Sequence, residues 1–120
     1  MNWHQRSEPE DGAVFGFRFR QLGPATILQF AGELDLAHSN EATAAIRAAE
    51  VGRGPVIVDL TEVTFLDSTG LGVLAEARIR QHRDGGDRLS FIGSRHEAVI
   101  QVLEMTDTIK IFSEASRRRC

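Results

Sequence analysis

The sequence predicts a single α/β domain built on a small mixed β-sheet of about five strands, with α-helices packed against it. Three observations carry that prediction. From residue 26 onward, short apolar runs alternate with helical patterns, which implies parallel strands joined by helical crossovers. The first two strand-like runs are separated only by Gln21-Leu22-Gly23-Pro24, too short for a crossover, so they pair antiparallel and make the sheet mixed. A chain of 120 residues, 42% hydrophobic and 26% charged, suits one core without disulfides or metals.

Each element has a local reason. Residues 1–12 are polar and read as a flexible lead-in, with Trp3 as the side chain suited to docking. Val14 to Arg20 alternates: Phe15, Phe17 and Phe19 point one way, Arg18 and Arg20 the other, as in a half-buried strand. Thr26 to Ala31 is the second strand, and Gly32-Glu33-Leu34-Asp35 ends it. A helix follows from about Ala37 to Ala49, with Ala42, Ala45, Ile46 and Ala49 on one small-residue face. Gly52-Arg53-Gly54-Pro55 stops it. Val56-Ile57-Val58 is a continuous apolar run, expected as a strand buried on both faces. A second helix is expected from about Gly70 to Arg83, with Leu71, Leu74, Ala75 and Ile79 as its apolar stripe. Leu89 to Ile92 reads as a strand. Ser94 and Glu97 form a capping-box pattern for a third helix to about Thr106, and Ile109 to Phe112 reads as the last strand. The domain is thus expected over residues 13–113, with 114–120 as a polar, basic tail.

Composition excludes several functions. A net charge of −3 argues against nucleic-acid binding, and the basic cluster Arg117-Arg118-Arg119 is short and terminal. No apolar run approaches the ~20 residues that span a bilayer, and the N-terminus lacks the apolar region of a signal peptide. A cytoplasmic protein is expected, in keeping with the single cysteine, Cys120. His4, His38, His82 and His96 lack metal-ligand spacing and read as surface histidines. There is no P-loop, and Gly70-x-Gly72 alone is a weak nucleotide signal. Ser68 is not in a Gly-x-Ser-x-Gly elbow, and only a pairing of Asp35 or Asp59 with Asp67 offers acid–base chemistry, so no enzyme is expected.

The segment Val56 to Leu74 carries the functional information. An apolar strand runs into the turn Asp67-Ser68-Thr69-Gly70, and a helix begins there. Ser68 or Thr69 is the expected N-cap, and capping alone accounts for these residue types. A helix N-terminus also tolerates an anion, because its first N–H groups are unpaired and the macrodipole favours negative charge. Phosphorylation would therefore leave the fold intact and change the surface sharply.

Val-Asp-Leu-x-x-Val-x-Phe-Leu-Asp-Ser-Thr-Gly-Leu-Gly-Val-Leu, with Gly32-Glu33-Leu34-Asp35 upstream, resembles the STAS domain, specifically the bacterial anti-sigma-factor antagonists. The resemblance implies a small mixed sheet with packed helices. It implies a protein that binds an anti-sigma factor, usually a serine kinase of the histidine-kinase-like ATPase type, and so releases a sigma factor. The kinase inactivates the antagonist by phosphorylating the serine after the motif's aspartate, here Ser68 with Thr69 as second choice, and a phosphatase restores it. Nucleotide and Mg²⁺ come from the kinase, so no cofactor is expected in this chain. The partner-binding residues implied are Asp35, Asp67, Ser68, Thr69, Gly70, Leu71 and Gly72. Thr69 departs from the second serine of many relatives. The alternatives are a STAS scaffold or accessory subunit of a stress-sensing complex or transporter without a live switch, and an enzyme or small-molecule binder using the turn as an anion nest.

Overall fold

The computed structural model describes residues 3–7 by their backbone, and residues 15–84 and 88–93 with their side chains. Five strands lie in one sheet in chain order: β1 (Trp3–Ser7), β2 (Phe15–Leu22), β3 (Ala25–Leu34), β4 (Val56–Leu66) and β5 (Leu89–Ile92). β1, β2 and β3 are antiparallel neighbours. β4 and β5 each run parallel to the strand before them. Two helices make those crossovers, α1 (Ser39–Ala49) and α2 (Ser68–Arg83), and a 3-10 turn at Leu36–His38 leads into α1.

The mixed sheet is as expected, with one difference in its strands among the described residues. Trp3–Ser7, read from sequence as part of a loose lead-in, forms β1 and pairs with β2. The strand read at Ile109–Phe112, the helix read from Ser94 to Thr106 and the basic tail lie outside the described residues.

Register explains which side chains are buried. Phe15 pairs with Gly32, Phe17 with Phe30 and Phe19 with Leu28, so the β2 phenylalanines share a face with Leu28 and Phe30. Leu28 lies opposite Val58, and Val58 opposite Phe91, which carries that face across the parallel strands. Ala42, Ala45, Ile46 and Ala49 of α1 join this core, as do Leu71, Leu74 and Ala77 of α2. The small residues of α1 let that helix sit close to the sheet.

β4 is longer and more one-sided than its sequence suggested. It continues to Leu66, and burial alternates through Val56, Val58 and Leu60, so it is not sealed on both faces. The opposite face carries polar contacts. Arg18 Nε donates to Gln29 Oε1 (2.9 Å), and Gln29 Nε2 donates to Asp59 Oδ2 (3.3 Å). Asp59 Oδ1 also accepts from the Thr61 hydroxyl (2.7 Å). Asp59 is thereby committed to the sheet and does not join Asp67 in a carboxylate pair.

The stripe of α2 also differs from the expected one. Ala77 is buried, Ala75 is intermediate and Ile79 is 56% exposed. Near the far ends of the two helices, Arg80 is buried; its Nη2 donates to both carboxylate oxygens of Glu50 (both 3.1 Å) and its Nη1 to Glu76 Oε1 (2.7 Å). This clamp joins the C-termini of α1 and α2.

Candidate functional site

The site lies where β3 and β4 end together. Leu34 pairs with Leu66, and both are buried, so the next residues, Asp35 and Asp67, emerge side by side. The carboxyl ends of parallel strands are where α/β folds place their ligands. A register shift between Gly32 and Glu33 sets this arrangement, with Gly32 at φ +87°. That backbone region is open to glycine at no steric cost. The irregularity lets Leu34 enter the core while Asp35 starts the 3-10 turn.

Asp67 organises the turn. Its backbone is extended, and its Oδ1 accepts from the Gly70 N–H (2.8 Å), making it the N-cap of α2. The first intrahelical bond runs from Leu71 N–H to Asp67 O (2.9 Å). Its other oxygen, Oδ2, accepts from the Leu36 N–H (3.2 Å), and its own N–H donates to Leu34 O (3.4 Å). One carboxylate thus ties the 3-10 turn to the start of α2.

This corrects the expected cap. Neither Ser68 nor Thr69 caps the helix; α2 begins at Ser68, one residue after its cap. Ser68 is exposed and Thr69 is half-buried. As the first two helical residues, they have backbone N–H groups with no intrahelical acceptor. An anion on Ser68 would meet those donors and the positive end of the helix, against the carboxylates of Asp67 and Asp35.

The two glycines after them have different tasks. A Cβ on Gly70 would sit 2.1 Å from Leu34 O, so glycine is what lets α2 start against the end of β3. A Cβ on Gly72 would meet nothing within 4 Å. Gly72 is exposed and lies four residues after Ser68, on the same helix face. Nothing among the described residues requires glycine there, although it costs ~1 kcal/mol relative to alanine in a helix. Leu71 is 7% exposed and belongs to the core. Gly70 and Leu71 are both buried and position the turn.

Three further residues at this end were not singled out from the sequence. Leu36 is 71% exposed and Phe65 is 45% exposed. Phe65 lies two residues before Asp67 at the end of β4, and Leu36 adjoins the turn from the 3-10 segment through the bond from its N–H to Asp67 Oδ2. Leu36 falls outside the apolar stripe of α1, which was its available signal. His38, read as a surface histidine, is half-buried beside Asp35 and stacked on Phe15. Among the described residues, no group of three or more His, Cys, Asp or Glu side chains is placed to hold a metal. No helix among them is long and apolar enough to cross a membrane.

Comparison with known proteins is decisive for the family: the STAS domain model matches residues 17–117. The chain belongs to the STAS domain family. It is 32% identical over 83 residues to an anti-sigma-B factor antagonist of Listeria monocytogenes, covering 68% of this chain and 73% of that one. Among solved structures, an anti-sigma factor antagonist from Mycobacterium paratuberculosis matches with a TM-score of 0.67 at 22% identity, over 82% of each chain. SpoIIAA, an anti-sigma factor antagonist in its unphosphorylated form, matches with a TM-score of 0.60 at 18% identity, over 77% of this chain and 81% of that one. The structural matches establish the STAS fold.

Proposed function

We propose that this chain is an anti-sigma-factor antagonist whose binding to an anti-sigma factor is switched off by phosphorylation of Ser68. The observation that carries the reading is the division of labour in the turn. Asp67 alone supplies the side-chain cap, while Ser68 stands exposed one residue later. Ser68 therefore presents a hydroxyl that the fold does not use for capping. The antagonist relatives point to the same activity.

The partner in this reading is an anti-sigma factor that is also a serine kinase. It transfers the γ-phosphoryl of ATP to Ser68 Oγ: the new Oγ–P bond forms, the bond to the ADP leaving group breaks, and the hydroxyl proton passes to solvent. The product carries about −1.5 to −2 charge at the centre of the docking surface. Leu36 and Phe65 give that surface apolar contacts, and Gly72 leaves room for close approach of the partner. Placing the phosphate inside such an interface removes solvent from a charge with no matched counter-ion, which expels the partner. A phosphatase reverses the step. Thr69 is the poorer acceptor because it is half-buried.

The test is incubation with the cognate anti-sigma kinase and ATP, followed by peptide mass mapping. One phosphate on Ser68 is expected, and Ser68→Ala should bind the kinase without being modified. Ser68→Asp should lose affinity by ~100-fold, or about 2.7 kcal/mol. Modification confined to another residue, or full binding by Ser68→Asp, would remove the proposed switch.

A further inference from the structure

The end of the sheet opposite Ser68 holds a cleft. It opens between the turn joining β2 to β3 and the loop from α1 to β4, and its volume is about 500 Å³. Thr26 pairs with Val56 at this end and Leu34 with Leu66 at the other, eight positions along β3 or about 26 Å of strand. The cleft is therefore separate from the serine turn.

Its walls are held in place by the chain itself. Arg88 Nη1 donates to Gly52 O (2.7 Å) and Gly54 O (2.8 Å), and its Nη2 donates to Glu50 O (3.3 Å). One guanidinium thus fixes the path of the loop after α1. The loop is pressed against the hairpin, because a Cβ on Gly54 would overlap Pro24 O. At the same junction Thr26 N–H donates to Pro55 O (2.9 Å). On the hairpin side, the Thr26 hydroxyl donates to Gln21 Oε1 (3.0 Å), and Gln21 Nε2 donates to Gly23 O (3.2 Å). A preformed site loses little affinity to ordering when a ligand enters.

The lining defines the chemistry of that ligand. Phe19, Pro24, Ala48, Ala49 and Val51 form apolar walls, and Val51 leaves its side chain 85% exposed at this end. Gln21 and Thr26 are bonded to each other, so Arg53, the one charged residue in the lining, sets the charge of the ligand. Arg88, bonded to the loop carbonyls, adds a second positive charge close by. The C-terminus of α1 opposes an anion, but its closing carbonyls are occupied: Ile46 O and Arg47 O accept from Glu50 N–H, and Ala48 O from Val51 N–H. A guanidinium holds a carboxylate through two parallel hydrogen bonds, whereas a dianionic phosphate would exceed the single charge of the lining. The volume lies within the roughly 300–1,000 Å³ of small-molecule sites. Walls of alanine, glycine, proline and phenylalanine suit a flat ring. We propose that this cleft binds a small aromatic carboxylate, its ring against Phe19, Ala49 and Val51 and its carboxylate on Arg53. The site does not depend on Ser68 or on the anti-sigma partner.

The experiment titrates the full, nitrogen-labelled chain with naphthalene-2-carboxylate and, in parallel, with its uncharged counterpart naphthalene-2-carboxamide, followed by NMR. Saturable shifts are expected at the backbone amides of Thr26, Ala49, Gly52 and Gly54, with a Kd between about 10 μM and 1 mM for a ligand of this size. The carboxylate should bind ~10-fold tighter than the amide. Arg53→Gln should erase that preference and keep the fold, since Arg53 is exposed. Ala48→Leu fills the cleft from an exposed helix position and should block both probes. The proposal is overturned by an absence of saturable shifts up to about 5 mM, by equal affinity for acid and amide, or by a preference retained in Arg53→Gln. Undiminished binding to Ala48→Leu, or shifts centred on Phe65 and Ser68, overturns it as well. Neither variant touches the serine turn, so failure here is separate from failure of the Ser68 switch.

Discussion

Gly70 and Gly72 stand two residues apart in the same helix, yet alanine at each should act in opposite directions. An alanine at position 70 places its Cβ 2.1 Å from Leu34 O, 2.9 Å from the Leu34 carbonyl carbon and 2.9 Å from Leu66 Cδ1. Real Cβ contacts essentially never fall under 3.0 Å, so α2 and the end of β3 must separate by roughly 1 Å. The obstacle is backbone, which cannot rotate away as a side chain does. The movement strains the bonds from Asp67 to Gly70 N–H and to Leu36 N–H. Against unyielding backbone, overpacking falls in the upper part of its usual range, about 2–3 kcal/mol, from which the ~1 kcal/mol that alanine gains over glycine in a helix is subtracted. Gly70→Ala should therefore destabilise the domain by about 1–2 kcal/mol net. At position 72 the new methyl meets nothing, so only the helix preference remains and Gly72→Ala should stabilise by about 0.5–1 kcal/mol. Urea denaturation of both variants beside the wild type reads the difference directly, with unchanged m-values confirming a native-state origin. A neutral or stabilised Gly70→Ala would refute the close approach of α2 to β3. A destabilised Gly72→Ala would show that the chain itself, rather than a partner, needs that glycine.

Other substitutions test the remaining parts. Asp67→Ala removes both turn bonds and should cost about 1–2 kcal/mol in urea melts, whereas Asp67→Asn, itself a good cap, should cost much less. Leu36→Ser and Phe65→Ser should change stability by less than ~0.5 kcal/mol but weaken binding of the anti-sigma factor by about 1–3 kcal/mol in calorimetry; equal affinity would place docking elsewhere. Arg80→Met leaves Glu50 largely buried without its partner and should cost about 2–4 kcal/mol, with Glu50→Gln in the same chain recovering part of it. No recovery in the double variant would show that Arg80 acts through packing alone.

The sequence revealed the fold wherever periodicity was strong. The alternation of Phe15, Phe17 and Phe19 set the face of β2, and the spacing of Ala42, Ala45, Ile46 and Ala49 set the buried side of α1. It misled where tertiary pairing decides. The apolar run that marks the strand is only Val56-Ile57-Val58, but pairing with β3 carries β4 through Asp59, Thr61 and Glu62 to Leu66. Ile79 looked like part of the stripe of α2, yet the path Gly70, Leu74, Ala77 and Gln81 is the one that faces inward. The difference arises because Gly70 presses on Leu34 and fixes the rotation of the helix. In the site, the residue types were visible while their tasks were not. Asp, Ser and Thr are all good caps; that Asp67 takes the role depends on its second bond to Leu36, thirty-one positions away.

That assignment of the cap has a mechanistic consequence. Had Ser68 been the cap, its side-chain oxygen would be bonded to a backbone N–H of the first turn, and modification would have begun by breaking a bond that holds the helix. With Asp67 as cap, both bonds of the turn survive when Ser68 changes. The new charge then acts on what docks at the surface, while the scaffold that presents it stays folded. The proposed switch thus separates stability from recognition: Asp67 and Gly70 hold the turn, and Ser68, Leu36, Phe65 and Gly72 remain available to the partner. Ser68→Asp gives that separation a direct measure. Its melting temperature should stay close to that of the wild type, because negative charge in the first turn of a helix is tolerated or mildly favourable by about 0.3–1 kcal/mol. Loss of binding accompanied by unfolding would mean that the serine is part of the scaffold after all, and that the antagonist is switched by its stability rather than by its surface.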